Sequence, residues 1–274
     1  MAAPSLGTAI VTGASSGIGA VFAERLARRG YDLILVARNG ARLEALAAGL
    51  RAETGRAVEP LVADLSQGAD VARVERRIRD DAAVRVLINN AGMLLEGETL
   101  DQTPEAIEGL VALNITAVSR LAIAAGRSFA ARGGGKIVNL SSILGLAHEI
   151  SEGVYSASKA YVLSLSRHLA GELRDKGVQV QAVLPGATRT EIWERSGRDV
   201  GAMPPELVMD AADLVDAALV GLDRGEEVTI PPLADEQLWQ AYETARAAMV
   251  PVLSRRDVAP RYRAAAVAPD GTNP

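Results

Sequence analysis

Tyr155 and Lys159 stand four residues apart in Val154-Tyr-Ser-Ala-Ser-Lys, where a segment opens that reads as helix to Lys176. That interval puts a phenol and an ammonium on one helix face. A free phenol titrates near pH ~10, so proton exchange with a carbonyl oxygen at neutrality requires its anion to be stabilised. A neighbouring ammonium does so by favouring the charged form. Taken alone, the pair also fits an amphipathic helix with a snorkelling lysine.

Other residues point the same way, each with a plainer alternative. Thr12-Gly-Ala-Ser-Ser-Gly-Ile-Gly19 follows a short apolar run. Glycines there let the backbone turn sharply and approach a pyrophosphate, whose charge meets amide N–H groups and a helix dipole; a purely structural turn would look alike. Ser141 and Ser142 end the run Lys136 to Leu140, so a hydroxyl can reach a substrate oxygen over the sheet edge or merely shape a turn. Asn89 and Asn90, ahead of Ala91 and Gly92, can face a ligand or satisfy loop backbone. Asn114 lies inside the long helical stretch Pro104 to Arg132, where poor propensity makes a solvent-facing position the ordinary expectation.

The run ending Val36-Ala37-Arg38 carries no carboxylate at its tip. In dinucleotide folds an acidic residue there grips the ribose 2′-hydroxyl and an arginine accommodates the 2′-phosphate, so NADP is favoured, with NAD still possible. Arg42, one helical turn on, adds a second cation; the alternative is a solvated strand end. Asp64 suits an adenine contact and a loop or helix cap equally.

The elements that must position these residues are legible. Seven short aliphatic runs, Ala9 to Val11, Leu33 to Ala37, Val58 to Val62, Val84 to Ile88, Lys136 to Leu140, Val178 to Leu184 and Val228 to Ile230, alternate with helical patterns such as Ala20 to Arg29, Ala41 to Thr54 and Ala69 to Asp81. Largely apolar runs, joined by helix-length crossovers, suit strands buried on both faces and imply an α/β fold: a Rossmann-type doubly wound parallel sheet of about seven strands with helices on both faces. One domain is expected over residues 1–253, with a lid about 189–210 and a tail over 254–274 that is either mobile or at a subunit interface.

Composition narrows the chemistry. With no cysteine and only His148 and His168, unsuitably spaced, no metal site is expected. The net charge of −5 offers no footprint for nucleic acid or an anionic membrane. No stretch approaches the ~20 apolar residues that span a bilayer, and the N-terminus lacks a targeting pattern, so a cytoplasmic protein acting on a small molecule is expected.

As an ordered set, Thr12 to Gly19, Asn89 to Gly92, Asn114, Ser142, Tyr155-Ser-Ala-Ser-Lys159 and Pro185-Gly186 resemble the short-chain dehydrogenase/reductase family over roughly residues 6 to 190. The resemblance implies that Tyr155 is general acid for carbonyl reduction and base for alcohol oxidation. Ser142, thirteen residues earlier, matches the substrate-orienting serine better than Ser141. It further implies that Lys159 lowers the tyrosine pKa and holds the nicotinamide ribose, and that Asn114 helps position a relay water. Gly13, Ser15, Ser16, Gly17, Ile18 and Gly19 would line the pyrophosphate and ribose; Asp64 and Leu65 would meet the adenine. Asn90, Ala91 and Gly92 would lie along the cofactor, and Pro185, Gly186, Thr188 and Thr190 would bind the carboxamide. A homotetramer or homodimer is expected by analogy. One departure is Ser16, where many NADP-preferring relatives carry a basic residue, leaving cofactor choice chiefly to Arg38.

Substrate contacts are expected from Met93 to Glu96, Ile143 to Ile150 and Arg189 to Met209. Ile192, Trp193, Met203, Leu207 and Met209 in the last suit a lid with an apolar underside, or else packing on the core or another subunit. An apolar ketone or alcohol is favoured. The other class to weigh is a nucleotide-sensing binding protein on the same fold, which needs no acid/base; the intact Ser142, Tyr155 and Lys159 argue against it.

Overall fold

The computed structural model describes residues 4–150 and 153–263. Its strands are β1 (Thr8–Thr12), β2 (Asp32–Ala37), β3 (Val58–Val62), β4 (Val84–Asn89), β5 (Gly135–Leu140), β6 (Val178–Val183), β7 (Thr188–Arg189), β8 (Met209–Asp210) and β9 (Val228–Thr229). The helices are α1 (Gly17–Arg28), α2 (Gly40–Thr54), α3 (Gly68–Asp80), α4 (Pro104–Leu110), α5 (Val118–Ala131), α6 (Gly153–Leu173), α7 (Ile192–Arg195), α8 (Ala211–Asp223) and α9 (Glu236–Met249).

All seven expected strands form one parallel sheet in the order β3-β2-β1-β4-β5-β6-β9. Alternate residues of its central strands feed opposite faces, as a two-residue period requires. Val11, Leu33 and Leu35 join Phe22, Leu26, Leu43 and Leu219 in one core cluster. Ile10, Ile34 and Val36 join Ile78, Leu121, Phe129 and Leu173 in the other. Strand order reverses between β1 and β4, which opens a crevice at their carboxyl ends.

Between α4 and α5 the chain winds through a π-helical stretch, Val111–Ala117. Contrary to the sequence expectation, the continuous run Pro104–Ala131 is long and apolar enough to cross a membrane by length and composition. Its apolar side chains have a different use here, since Leu121, Ala122, Ala125 and Phe129 are buried in the second cluster.

The chain divides after Pro232 into two compact units. Helix α9 has no buried side chain; within it Trp239 stacks on Tyr242 with ring centroids 5.3 Å apart. Of the expected tail, residues 254–263 hold a 3₁₀ turn at Pro260–Tyr262, and residues 264–274 lie outside the described residues.

Candidate active site

The glycine turn leaves β1 with Gly13 at φ +66° and starts α1 with Gly17 at φ +54°, the left-handed region that disfavours side chains. Crowding reinforces this: a Cβ on Gly19 would lie 2.3 Å from the Gly13 carbonyl oxygen. Thr12 and Asn90 hold the turn in shape. The Thr12 hydroxyl donates to the Ile88 carbonyl and accepts from the Asn90 and Ala91 amides, each at 3.0 Å. Asn90 Nδ2 donates to the carbonyl of Thr12 at 2.9 Å and, more weakly, to that of Gly13. Asn90 therefore braces the turn from β4 with its amide nitrogen.

Helix α6 is fixed to the end of β5 by two bonds to backbone. Ser141 Oγ donates to the Lys159 carbonyl at 2.7 Å, and Lys159 Nζ donates to the Leu140 carbonyl at 2.9 Å. With its hydroxyl committed, Ser141 is structural. Ser142 differs, because its Oγ accepts from the Leu144 amide at 3.1 Å while its own proton has only the Pro185 carbonyl at 3.5 Å, too long to hold it firmly. The Ser142 proton is thus available to an incoming oxygen.

Lys159 is 6% exposed, and burial, which disfavours the ammonium, pushes its pKa down to about 8. Its Nζ lies 5.5 Å from the centre of the Tyr155 ring. Tyr155 is itself buried, in a cluster with Leu94, Leu95 and Leu110 that Ile192 and Trp193 pack against. Both belong to the stretch from which substrate contacts are expected. Leu207, by contrast, is 64% exposed, and Met209 packs on the first core cluster.

Asn114 overturns the expectation of a solvent-facing side chain: it is 1% exposed. Its Oδ1 accepts from the Met93 amide, and its Nδ2 donates to the Met93 carbonyl, both at 2.9 Å, and to Ser158 Oγ at 3.3 Å. Propensity assumed a regular exposed helix, whereas a π-helical stretch, of a kind frequent at functional sites, turns the amide inward against two backbone groups. A Cβ on Gly92 would sit 3.4 Å from Asn114 Oδ1 and 3.6 Å from Lys159 Nζ, just as one on Gly13 would meet Asn90 at 2.7 Å. The glycine turn, Asn90, Gly92, Asn114 and Lys159 therefore form one continuous floor.

Below that floor runs a buried polar ladder that sequence reasoning missed. Asn89 Nδ2 donates to Asn139 Oδ1 at 2.9 Å, Asn139 Nδ2 donates to Ser166 Oγ at 2.9 Å, and Ser166 donates to the Val162 carbonyl. It ties β4 to β5 and β5 to α6, two turns beyond Lys159. Asparagine within an otherwise apolar strand was the available signal, since a buried amide needs partners.

The adenosine end is more mixed. Asp64 spends its carboxylate on the Ser66 amide and hydroxyl, at 3.0 and 2.8 Å, the loop-shaping role. Leu65 is buried in the second cluster, which leaves only its backbone to meet a ligand. Arg38 is exposed and makes no hydrogen bond or ion pair among the described residues, whereas Arg42 is paired at 2.7 Å with Glu191. On the far side, Ile143 donates its amide to the Pro185 carbonyl, and Thr188 Oγ1 donates to that of Gly186. The Thr190 methyl lies over the glycine turn, 3.0 Å from where a Gly17 Cβ would be. Ser15, Ser16 and Ile18 are half-buried around the same turn.

A doubly wound sheet with a glycine turn at its strand-order reversal, and a serine, tyrosine and buried lysine gathered beside it, defines an α/β oxidoreductase. Residues 7–201 match the short chain dehydrogenase family, and the chain belongs to it. It is 31% identical over 223 residues to an uncharacterized oxidoreductase of Staphylococcus saprophyticus, covering 81% of this chain and 93% of that protein. Among solved structures, a short-chain dehydrogenase from Sphingobium yanoikuyae in complex with NADPH is 54% identical with a TM-score of 0.92, covering 94% of this chain and all of that one. The bulky-bulky ketone specific alcohol dehydrogenase from Comamonas testosteroni is 47% identical with a TM-score of 0.87, covering 94% and 98%.

Proposed function

We propose that this oxidoreductase moves hydride between NADP(H) and the carbonyl carbon of an apolar ketone, or the corresponding secondary alcohol, with Tyr155 as its acid/base. The observation that carries the reading is the buried Lys159 ammonium, held between the Leu140 carbonyl and the Tyr155 ring on a floor continuous with the glycine turn. The turn suits a dinucleotide: Gly13 and Gly17 take conformations open to a close-lying pyrophosphate, and α1 directs its N-terminus, without an acidic residue in its first turn, toward the same place. When bound, NADP(H) supplies or takes up the hydride.

The chain's own groups do the rest. Tyr155 gives its hydroxyl proton to the substrate oxygen in reduction and takes it back in oxidation. Lys159 favours the phenolate through its charge, and Ser142 donates its loosely held proton to the same oxygen as negative charge develops there. Leu94, Leu95, Ile192 and Trp193 around Tyr155 favour an apolar substrate and exclude water. The NADPH complex of the Sphingobium relative and the ketone specificity of the Comamonas relative support the cofactor and substrate class; the family resemblance supports a homo-oligomer.

The test is NADPH oxidation against a panel of ketones and aldehydes, repeated with Tyr155→Phe. Turnover is expected to fall by ~10²–10⁴-fold, with the NADPH dissociation constant unchanged. Turnover that survives the substitution removes Tyr155 as the acid.

A further inference from the structure

The root of the lid carries a charge arrangement that the acid/base reading does not use. Glu191 Oε2 accepts from Arg42 at 2.7 Å and from Arg195 at 2.6 Å. The same Arg195 nitrogen donates to Ser16 Oγ at 3.3 Å. One carboxylate oxygen thus joins three segments: α2 through Arg42, α7 of the lid through Arg195, and through it the glycine turn at Ser16. Residue 16 is the N-cap of α1 and makes no side-chain capping bond, so Arg195 brings a cation to a helix end that already favours anions. Arg38 stands nearby in sequence with no partner of its own among the described residues.

A carboxylate shared by two guanidiniums beside the glycine turn has the chemistry of a bound phosphate oxygen. The direction of its ionisation agrees, because the Arg42 hydrogen bond holds Glu191 below the usual carboxylate range. All three side chains remain partly exposed, so the pairing is weak enough to exchange. A phosphate monoester carries ~1.5–2 negative charges and three acceptor oxygens, and it outbids a single carboxylate for arginine. A ribose hydroxyl does not.

We infer that Glu191 is an internal stand-in for the 2′-phosphate: it occupies Arg42 and Arg195 in the free enzyme and is displaced when NADP(H), but not NAD(H), binds. Glu191 is in this sense a residue that sets cofactor preference, by competing for the cations that the 2′-phosphate needs. It also precedes Ile192 and Trp193, which pack at Tyr155, so the exchange links the adenosine end of the cofactor to the substrate end of the lid. The inference rests on the NADP(H) reading above.

The experiment is a binding titration of NADPH and NADH with the whole protein and its Glu191→Gln and Arg42→Gln variants, joined to hydrogen exchange over residues 190–198. Glu191→Gln is expected to bind NADPH about fivefold more tightly, the scale of one exposed ion pair, with NADH changed by less than about twofold. Exchange at 190–198 is expected to differ between the NADPH and NADH complexes of the parent protein and to be alike in those of Glu191→Gln. If Arg42→Gln weakens NADPH selectively while Glu191→Gln leaves it unchanged or weaker, the competition is overturned and the cofactor reading stands. If Arg42→Gln and Arg38→Asp both leave the NADPH to NADH preference unchanged, the cofactor reading fails and the inference with it.

Discussion

The floor around Lys159 and the corner around Glu191 hold their charged groups in opposite ways. At the floor one ammonium is buried and bonded to a backbone carbonyl, and the neighbouring Ser141 and Asn114 side chains are likewise spent on backbone groups. At the corner the charges are exposed and meet one another and the Ser16 hydroxyl. Backbone partners in low dielectric fix geometry and cost free energy to desolvate; exposed side-chain partners cost little and exchange readily. Under the proposed function the difference separates two tasks, since proton transfer needs one unvarying arrangement and cofactor choice needs a contact that can be traded.

The largest effect expected from this contrast belongs to Lys159. Its pKa lies lower in the folded chain, about 8, than the ordinary 10.5, so between these values the unfolded chain binds more protons and stability rises with pH. The burial penalty is present in full below pH 8 and is relieved toward pH 10.5; the shift amounts to about 3 kcal/mol. Urea denaturation of Lys159→Met should therefore show its stability, relative to the parent, declining as pH goes from 7 to 10. A difference independent of pH would mean that the ammonium is not desolvated.

A second break is aimed at the ladder. Asn139→Ala leaves the Asn89 and Ser166 side chains each without one partner, and should cost about 2 kcal/mol while lowering kcat more than it raises KM for NADPH. An unchanged melting temperature would show the ladder to be dispensable. At the corner, effects are smaller and selective. Arg38→Asp should weaken NADPH at least about tenfold, equivalent to ~1.4 kcal/mol, and leave NADH nearly unchanged; equal effects on both would remove Arg38 from the 2′-phosphate site.

How far each region is legible in sequence follows from the same contrast. The strands are readable because β1 and β4 carry the aliphatic runs Ala9 to Val11 and Val86 to Ile88, and Tyr155 and Lys159 because one helical turn joins them. The burial of Asn114 was not legible because its partners, Met93 and Ser158, are distant in sequence and the π-helical stretch has no local signature. Glu191 and Arg195 draw no reading of their own in a glycine- and proline-rich stretch. Their spacing of four is an ordinary helix pair, and what distinguishes them is contact with Arg42 and Ser16, 149 and 179 residues away.

The short parallel ladder of β7 and β8, Thr188 to Met209 and Arg189 to Asp210, brings the two ends of the lid together before the chain enters α8. A loop whose ends are clamped can change length without shifting the frame, because the entropy of closing it grows only with the logarithm of its length. Segment 190–208 is therefore a place where insertions or deletions would leave the ladder and the start of α8 in register.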